Sequence, residues 1–229
     1  NHKAFSVIAF GDTVWVGTAN GINRGLIGEN GCVNWKHYTV NDGLSGGFVV
    51  DLERQLVNGH SVIWAATVTA GQGEKSGISF SNDDGESWHS TLINERVYNI
   101  TAADSIVLVA SKSGLWKTVT DNPLDIARPW AKYKPAKQAI QIGSTGTFDM
   151  DDILTDEVVG VSYDNRPYFS SLGTVWIGSW DGLARTLDSR GSNWNIYRSN
   201  FDMGKVYAYP NPFSPFEHNQ LSGDGYVHI

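Results

Sequence analysis

The chain has 229 residues, including 25 glycines, nine tryptophans and one cysteine, and its formal net charge is −7. This length suits one large domain with a substantial core. The acidic surplus argues against a nucleic-acid partner, because phosphate backbones are repelled, and no apolar run approaches the roughly 20 residues of a membrane helix. The single Cys32 excludes an internal disulfide and a thiolate metal site, and we expect it to be a small buried residue.

Four segments of the chain share one pattern. Each has a short apolar run, a turn glycine and, further on, a tryptophan. Six residues separate the centre of the run from the glycine in three segments, and an insertion at 69–75 extends this spacing to thirteen in the second. The run centres are Trp15, Trp64, Leu108 and Trp176, the turn glycines are Gly21, Gly77, Gly114 and Gly182, and the later tryptophans are Trp35, Trp88, Trp130 and Trp194.

This pattern indicates short β-strands. The apolar runs are rich in β-branched and aromatic residues, and Asn-Gly, Ser-Gly and Asp-Gly pairs suit tight hairpins, since glycine accepts a positive φ. A further strand precedes each run, and no long stretch has helical periodicity. Four strands per unit predict an all-β fold, a β-propeller of about four four-stranded blades. A sandwich would not produce the repeated spacing. The approximate blade boundaries are 5–39, 48–91, 97–133 and 157–198.

Two of the four segments carry a further resemblance. Trp15–Arg24, followed by Trp35 and by Asp42–Ser45, resembles the two-component-regulator propeller repeat, and Trp176–Arg185 resembles it again. The resemblance implies a periplasmic or extracellular sensor propeller of a bacterial hybrid kinase, or a related propeller of a secreted or surface protein.

The second segment contains Ser81–Trp88, which fills every fixed place of the Asp-box pattern, Ser-x-Asp-x-Gly-x-Ser/Thr-Trp. It resembles the hairpin turns between the outer strands of propeller blades in sialidases, xyloglucanases and sortilin-like receptors. The resemblance implies a structural role, with the aspartate and serine bonded to the turn backbone and the tryptophan packed beneath it. The residues concerned are Ser81, Asp83, Gly85, Ser87 and Trp88.

The C-terminal segment differs in composition. Three of the seven prolines fall within Tyr209–Pro215, a run that cannot form a central strand. The segment 206–215 resembles the opening of the Ig-like C-terminal domains of bacterial secreted proteins, which include the type IX (Por) secretion sorting domains and relatives of the flagellar hook-capping domain. We therefore expect propeller blades at 1–204 and the truncated start of an Ig-like β-sandwich at 205–229. A proline-rich linker is the alternative.

Catalytic and metal-binding patterns are sparse. A sialidase needs clustered arginines and a Tyr–Glu pair, but the eight arginines are scattered through different segments. A xyloglucanase needs two opposed carboxylates. The densest acidic group contains Asp149, Asp151 and Asp152 and could bind a structural Ca²⁺, although the glycine of an EF-hand loop is missing. A solvated acidic loop is the alternative, and no other cofactor is expected.

These observations predict a non-catalytic β-propeller of a bacterial secreted or cell-surface protein that binds a glycan or a protein or acts as a structural module. The candidate binding residues are Trp116 and Trp180, which lie next to turn glycines, together with Arg185, and core packing is expected for at least one of the tryptophans. Two alternatives stay open: an Asp-box glycoside hydrolase fragment, sialidase- or xyloglucanase-like, and the periplasmic sensor domain of a two-component regulator.

The expected blade number also predicts a partner. Four blades seldom close a ring, since most propellers of this kind have more, and open ends would leave sheet faces bare. We therefore expect the chain to be an arc of a larger propeller, with the remaining blades or other domains of the same protein as partners.

Overall fold

A computed structural model gives the structure of the protein, and it describes residues 3–133, 138–142, 147–151, 155–166, 173–186 and 194–197. The chain divides into two units, Asn1–Arg198 and Ser199–Ile229, and all described residues belong to the first unit. The predicted Ig-like segment at 205–229 lies outside the described residues, so that assignment stays a prediction.

The first unit contains four antiparallel four-stranded sheets, and the chain passes through each sheet from its first strand to its last. We call them blades 1 to 4. Blade 1 consists of β1 (Ala4–Phe10), β2 (Thr13–Thr18), β3 (Gly21–Ile27) and β4 (Val33–Tyr38). A short 3-10 helix (Val40–Asp42) leads to blade 2, which consists of β5 (Phe48–Val57), β6 (His60–Val68), β7 (Gly77–Ser81) and β8 (His89–Thr91).

Blade 3 consists of β9 (Val97–Ala103), β10 (Ile106–Ser111), β11 (Gly114–Val119) and β12 (Ala131–Tyr133). A separate two-stranded hairpin follows, formed by β13 (Gln138–Ile142) and β14 (Thr147–Asp151). Blade 4 consists of β15 (Val158–Asp164), β16 (Thr174–Ser179), β17 (Gly182–Thr186) and β18 (Trp194–Tyr197). Among the described residues no helix is long and apolar enough to cross a membrane.

The strand register gives each blade two distinct faces, because directly opposed residues in neighbouring strands share a face. In blade 1, Ile8, Trp15 and Arg24 are opposed to one another and share one face, whereas Val7 and Val16 share the other. We call the face that packs on the next blade along the chain the forward face, and the opposite one the backward face.

Consecutive blades bury one another's faces. The first strands β1, β5, β9 and β15 lie side by side, and a cluster of buried apolar side chains fills each interface between a forward face and the next backward face. The first cluster includes Trp15, Ile22, Tyr38, Leu52, Ile63 and Trp88; the second Val62, Trp64, Phe80, Ile100, Val107 and Val109; the third Leu108, Leu115, Val161, Val175, Ile177 and Trp194.

Four meandering sheets packed face to face around their first strands are the architecture of a β-propeller, so the predicted all-β fold class is confirmed. Cys32 contradicts its expectation, because its side chain is exposed. The residue lies in the turn between β3 and β4, where its N–H donates to Asn30 Oδ1 (3.0 Å) and no neighbouring blade covers it. The prediction of a buried cysteine was therefore wrong.

Candidate binding cleft

A recurring turn joins the second and third strands of blades 1, 3 and 4. In blade 3 the hydroxyl of Ser111 donates to the carbonyl of Gly114 (2.8 Å), and in blade 4 that of Ser179 donates to the carbonyl of Gly182 (3.0 Å). Both glycines have a positive φ, +141° and +147°. Residues with a Cβ rarely adopt this backbone conformation. The Ser-x-x-Gly spacing of the sequence thus fixes the conformation of each turn tip.

The second residue of this turn holds the equivalent position in blades 3 and 4. That residue is Lys112 in blade 3 and Trp180 in blade 4. The backbone N–H of Lys112 also donates to the carbonyl of Arg96 (2.9 Å), which ties the turn to the connector that enters β9. Trp180 is 77% exposed, the most exposed large apolar side chain among the described residues.

These turns and the starts of β9 and β15 line an open cleft between blades 3 and 4. The cleft has a volume of about 550 Å³. That volume lies within the usual range for small-ligand sites. The lining residues are Arg96, Tyr98, Lys112, Glu157, Val159 and Trp180.

The floor of the cleft carries a hydrogen-bonded pair. The Tyr98 hydroxyl donates to Glu157 Oε1, and the Arg96 guanidinium lies 5.8 Å from the centre of the Tyr98 ring. Partial burial, and then the hydrogen bond and negative charge of Glu157, raise the pKa of Tyr98. The phenol therefore stays protonated and holds the carboxylate in place, while Arg96 and Lys112 supply hydrogen-bond donors beside it.

Of the three predicted binding residues, the structure places only Trp180 in this cleft. Trp116 is half-buried and packs against the cluster between blades 2 and 3, with Lys132 Nζ 5.8 Å from its ring centre. Arg185 lies over Trp176 within blade 4, at 5.4 Å. The structure therefore does not bring the three residues into one site.

The sequence did not indicate four of the cleft residues as binding residues: Arg96, Tyr98, Lys112 and Glu157. One signal was present, because Lys112 holds the same turn position as Trp180. No local pattern indicated Glu157, since its pairing with a tyrosine 59 positions earlier depends on how blades 3 and 4 pack.

In the sequence, the predicted calcium ligands fall on or directly after β14. Asp149 and Asp151 are on β14, and Asp152 is outside the described residues. Among the side chains that the structure describes, no group of three or more His, Cys, Asp or Glu residues is placed to hold a metal ion. The three aspartates are not among those side chains, so calcium binding there stays a prediction.

The Asp-box segment forms a closed hydrogen-bonded turn between β7 and β8. The Ser81 hydroxyl donates to Asp83 Oδ1 (2.8 Å) and accepts from the N–H of Gly85 (2.7 Å). Asp83 accepts from the N–H (2.9 Å) and the hydroxyl (2.5 Å) of Ser87. Burial alone would raise the pKa of Asp83, but the hydrogen bonds from Ser87 and Ser81 outweigh it and lower that pKa.

Packing also restricts this turn. Gly85 has a φ of +84°, and a Cβ there would lie 2.6 Å from the Tyr38 hydroxyl and 2.9 Å from the Trp15 ring. Trp88 follows the turn and is buried against the same two rings. The Asp-box residues therefore lie at the interface between blades 1 and 2, and none of them lines the cleft between blades 3 and 4.

Comparisons with known proteins bear on the fold. No family model and no curated protein matches the chain. Its fold is similar to the extracellular domain of a candidate hybrid two-component system from B. thetaiotaomicron, with 16% identity and a TM-score of 0.54, covering 85% of this chain and 25% of that one. The extracellular domain of a candidate one-component system from the same organism is also similar, with 15% identity, a TM-score of 0.54 and coverage of 90% and 27%.

A candidate 6-phosphogluconolactonase from Bacteroides fragilis is similar too, with 11% identity, a TM-score of 0.50, and coverage of 86% of this chain and 57% of that one. The chain thus spans about a quarter of the length of the two extracellular domains. At such identities the likeness shows the fold alone: the described part of the chain is a β-propeller segment, and its open cleft lies between blades 3 and 4.

Proposed function

We propose that the chain is a non-catalytic binding module of an extracellular bacterial protein and that it holds a glycan in the cleft between blades 3 and 4. Trp180 carries this proposal, because its indole is 77% exposed and lines the cleft. A flat, rigid aromatic ring offers a large apolar area at low entropic cost. The C–H face of a sugar ring matches such a surface.

The polar residues of the cleft complement a ligand rich in hydroxyl groups. Arg96 and Lys112 donate hydrogen bonds, and the carboxylate of Glu157 accepts them. The Tyr98 hydroxyl orients Glu157, so one side of the cleft has a fixed acceptor. A few fixed polar groups around an aromatic surface are typical of sites that recognise small ligands.

Two observations support an extracellular location. The similar structures from B. thetaiotaomicron are extracellular domains, and the resemblance of residues 206–215 to the type IX sorting and hook-capping-like domains implies export to the cell surface. The same two structures keep the sensor alternative open, since both belong to signalling proteins.

One observation favours the hydrolase alternative. A Tyr–Glu pair is a feature of sialidases, and Tyr98 and Glu157 form such a pair in the cleft. In such a pair the glutamate carboxylate is the general base that accepts the proton of the tyrosine hydroxyl. Against this reading, a sialidase needs a cluster of arginines, and among the described residues Arg96 is the one arginine that lines the cleft.

The test is a glycan array with the purified chain, followed by calorimetric titration of each glycan that binds. We expect Trp180→Ala to weaken binding by at least about tenfold, the loss expected when a contact residue at the centre of a site is removed. Trp35→Ala is the matched control, because that tryptophan is also exposed but lies in blade 1. Equal binding by both variants would refute the cleft as the site.

The same glycans serve in an assay for released reducing sugar. Under the proposal, no sugar is released by the unmodified chain. Release that disappears in Tyr98→Phe would establish the hydrolase alternative, because that substitution removes the hydroxyl but keeps the ring.

A further inference from the structure

A tryptophan of the fourth strand, or of the turn just before it, lies on the backward face of each blade. In blade 2, Trp88 contacts Trp15 of blade 1, with ring centres 6.0 Å apart. In blade 3, Trp130 contacts Trp64 of blade 2, at 6.1 Å. In blade 4, Trp194 is fully buried in a cluster that includes Leu108, which holds the equivalent position in blade 3. Each backward-face tryptophan thus packs on the preceding blade.

Blade 1 has the same tryptophan, Trp35, but 57% of its surface is exposed. Its ring packs over Gly25, where a Cβ would lie 2.8 Å from the indole. Val7 is also exposed on this face (58%), and Val33 is exposed beside Trp35. The backward face of blade 1 is therefore an apolar surface of the kind that the preceding blade covers in blades 2, 3 and 4.

A second feature repeats at the same interfaces. The N–H of Leu52 donates to the Ser6 hydroxyl (3.0 Å), and the N–H of Ile100 donates to Asp51 Oδ2 (2.9 Å). Each bond joins a polar side chain on the first strand of one blade to the backbone of the next first strand. We call this bond the inner-strand bridge.

Blades 3 and 4 are joined in the same way, since the N–H of Val161 donates to Asn99 Oδ1 (2.7 Å). The strand registers align the donors Leu52, Ile100 and Val161 with one another, and they assign Val7 to the same position in blade 1. Val7 thus holds the donor position of an inner-strand bridge on the same blade face as Trp35.

From these two features we propose that the backward face of blade 1 docks a further blade of the same polypeptide, joined ahead of β1. That blade would carry Trp or Leu at the centre of its second strand, to pack on Trp35, and Ser, Asp or Asn on its first strand, to accept the N–H of Val7. In each of the three observed interfaces, a backward face receives the blade that directly precedes it in the chain.

A second copy of the chain fits this face less well. The forward face it would offer belongs to blade 4, where the bridging position is occupied by Gly160. Glycine has no side chain that could accept a hydrogen bond from Val7. A preceding blade with its own bridging residue satisfies both features, and it makes no use of the cleft residues, so this proposal stands independently of glycan binding.

The test places a blade on this face. Residues 3–47, which are blade 1 with its connector, are duplicated in tandem ahead of the otherwise complete chain, so that Trp15 and Ser6 of the added copy can meet Trp35 and Val7 of the original. Cys32 is changed to Ser in both copies, and Val7→Cys is introduced in the original copy alone. The rate of thiol labelling at that position is compared with the rate in the unduplicated chain carrying the same two substitutions.

We expect labelling to slow by at least about tenfold in the duplicated chain, because an interface that opens rarely protects its residues. Leu56→Cys in place of Val7→Cys is the control: Leu56 is an exposed residue of blade 2, and its labelling should not change. Unchanged labelling of Val7→Cys in a folded duplicated chain would overturn the proposal.

If the duplicated chain fails to fold, two measurements on the unduplicated chain test the proposal. Light scattering should show a monomer, and Val7→Cys should label fast at all protein concentrations. A dimer in which Val7→Cys is protected would instead assign the face to a second copy and overturn the proposal.

Discussion

Trp88 of blade 2 packs edge-on against Trp15 of blade 1, with the ring centres 6.0 Å apart and the ring planes at 78°. Tyr38 contacts both rings, at 5.6 Å from Trp88 and 5.9 Å from Trp15. Trp88 is also the last residue of the Asp-box pattern. This turn therefore has two structural roles: it connects β7 to β8, and it positions an aromatic ring in the interface between blades 1 and 2.

The position of Trp88 predicts a large effect of truncation. Trp88→Ala should lower the free energy of unfolding by about 3–5 kcal/mol, the usual cost of removing a buried aromatic side chain. Trp35→Ala should cost less than about 1 kcal/mol, since the same residue type is exposed there and surface substitutions have small effects. Urea unfolding of the three proteins measures both values. Similar losses for the two variants would contradict the assignment of Trp35 as an uncovered residue.

The hydrogen bonds of Asp83 predict a pH-dependent contribution to stability. Asp83→Asn should lower the free energy of unfolding at neutral pH by about 1 kcal/mol, because the hydrogen bonds from Ser87 lose their charged acceptor. The pKa of Asp83 is lowered in the folded protein. Its contribution is therefore present above the unfolded-state pKa, near 4, and is lost as the pH falls through the lower folded-state value.

Urea unfolding at pH 7 and near pH 3 tests this directly, and the difference between wild type and Asp83→Asn should shrink at the lower pH. Asp84→Asn is the matched control, because Asp84 is the exposed neighbour in the same turn. A difference that grows on acidification would contradict the predicted role.

The repeat spacing alone was sufficient to predict the blades. Six residues from Trp15 to Gly21 are the second half of one strand and a tight turn, and this local geometry recurs wherever the turn does. The Asp-box pattern also depends on neighbours along the chain. Such features are visible in a sequence because the interacting residues are only a few positions apart.

The cleft and the inner-strand bridges could not be predicted in the same way. Tyr98 and Glu157 are 59 positions apart, and Asp51 and Ile100 are 49 apart. These contacts depend on how one blade stacks on the next, which no local periodicity encodes. Cys32 was misjudged for a related reason, since its burial depends on whether another part of the protein covers the turn that contains it.

The raised pKa of Glu53, on β5, leads us to expect that the protein loses stability as the pH rises. Burial, offset in part by the N–H of Ala102 and reinforced by the charge of Asp51, raises its pKa to about 7. Because the folded state then holds a proton that the unfolded state releases near its ordinary value, the stabilisation is full at low pH and is lost as the pH rises through about 7.

Glu53→Gln keeps the size of the side chain but cannot ionise. We expect the wild type to lose stability relative to this variant between about pH 5 and pH 8, as measured by urea unfolding at several pH values. Parallel pH profiles for the two proteins would show that Glu53 titrates normally in the folded state.

Asp51 forms hydrogen bonds with residues of both neighbouring blades, so its substitution should weaken the packing of three blades. Its carboxylate accepts hydrogen bonds from the Ser6 hydroxyl (3.2 Å), the Asn99 amide (2.8 Å) and the N–H of Ile100 (2.9 Å). Asp51→Ala removes a charged acceptor, so these three donors lose their hydrogen bonds to the carboxylate. We expect a loss of about 3 kcal/mol in the free energy of unfolding, since hydrogen bonds to charged groups contribute about 1.5–3 kcal/mol.

Ser6→Ala is the comparison, because it removes one hydroxyl at the interface of blades 1 and 2 and should cost about 1 kcal/mol. Hydrogen exchange separates an effect on the bridge from a general loss of stability. In Asp51→Ala, the amide of Ile100 should exchange faster by a larger factor than the amide of Val175, whose acceptor is the Thr186 hydroxyl in blade 4. Equal acceleration at both amides would mean that Asp51 stabilises the whole unit and not this bridge in particular.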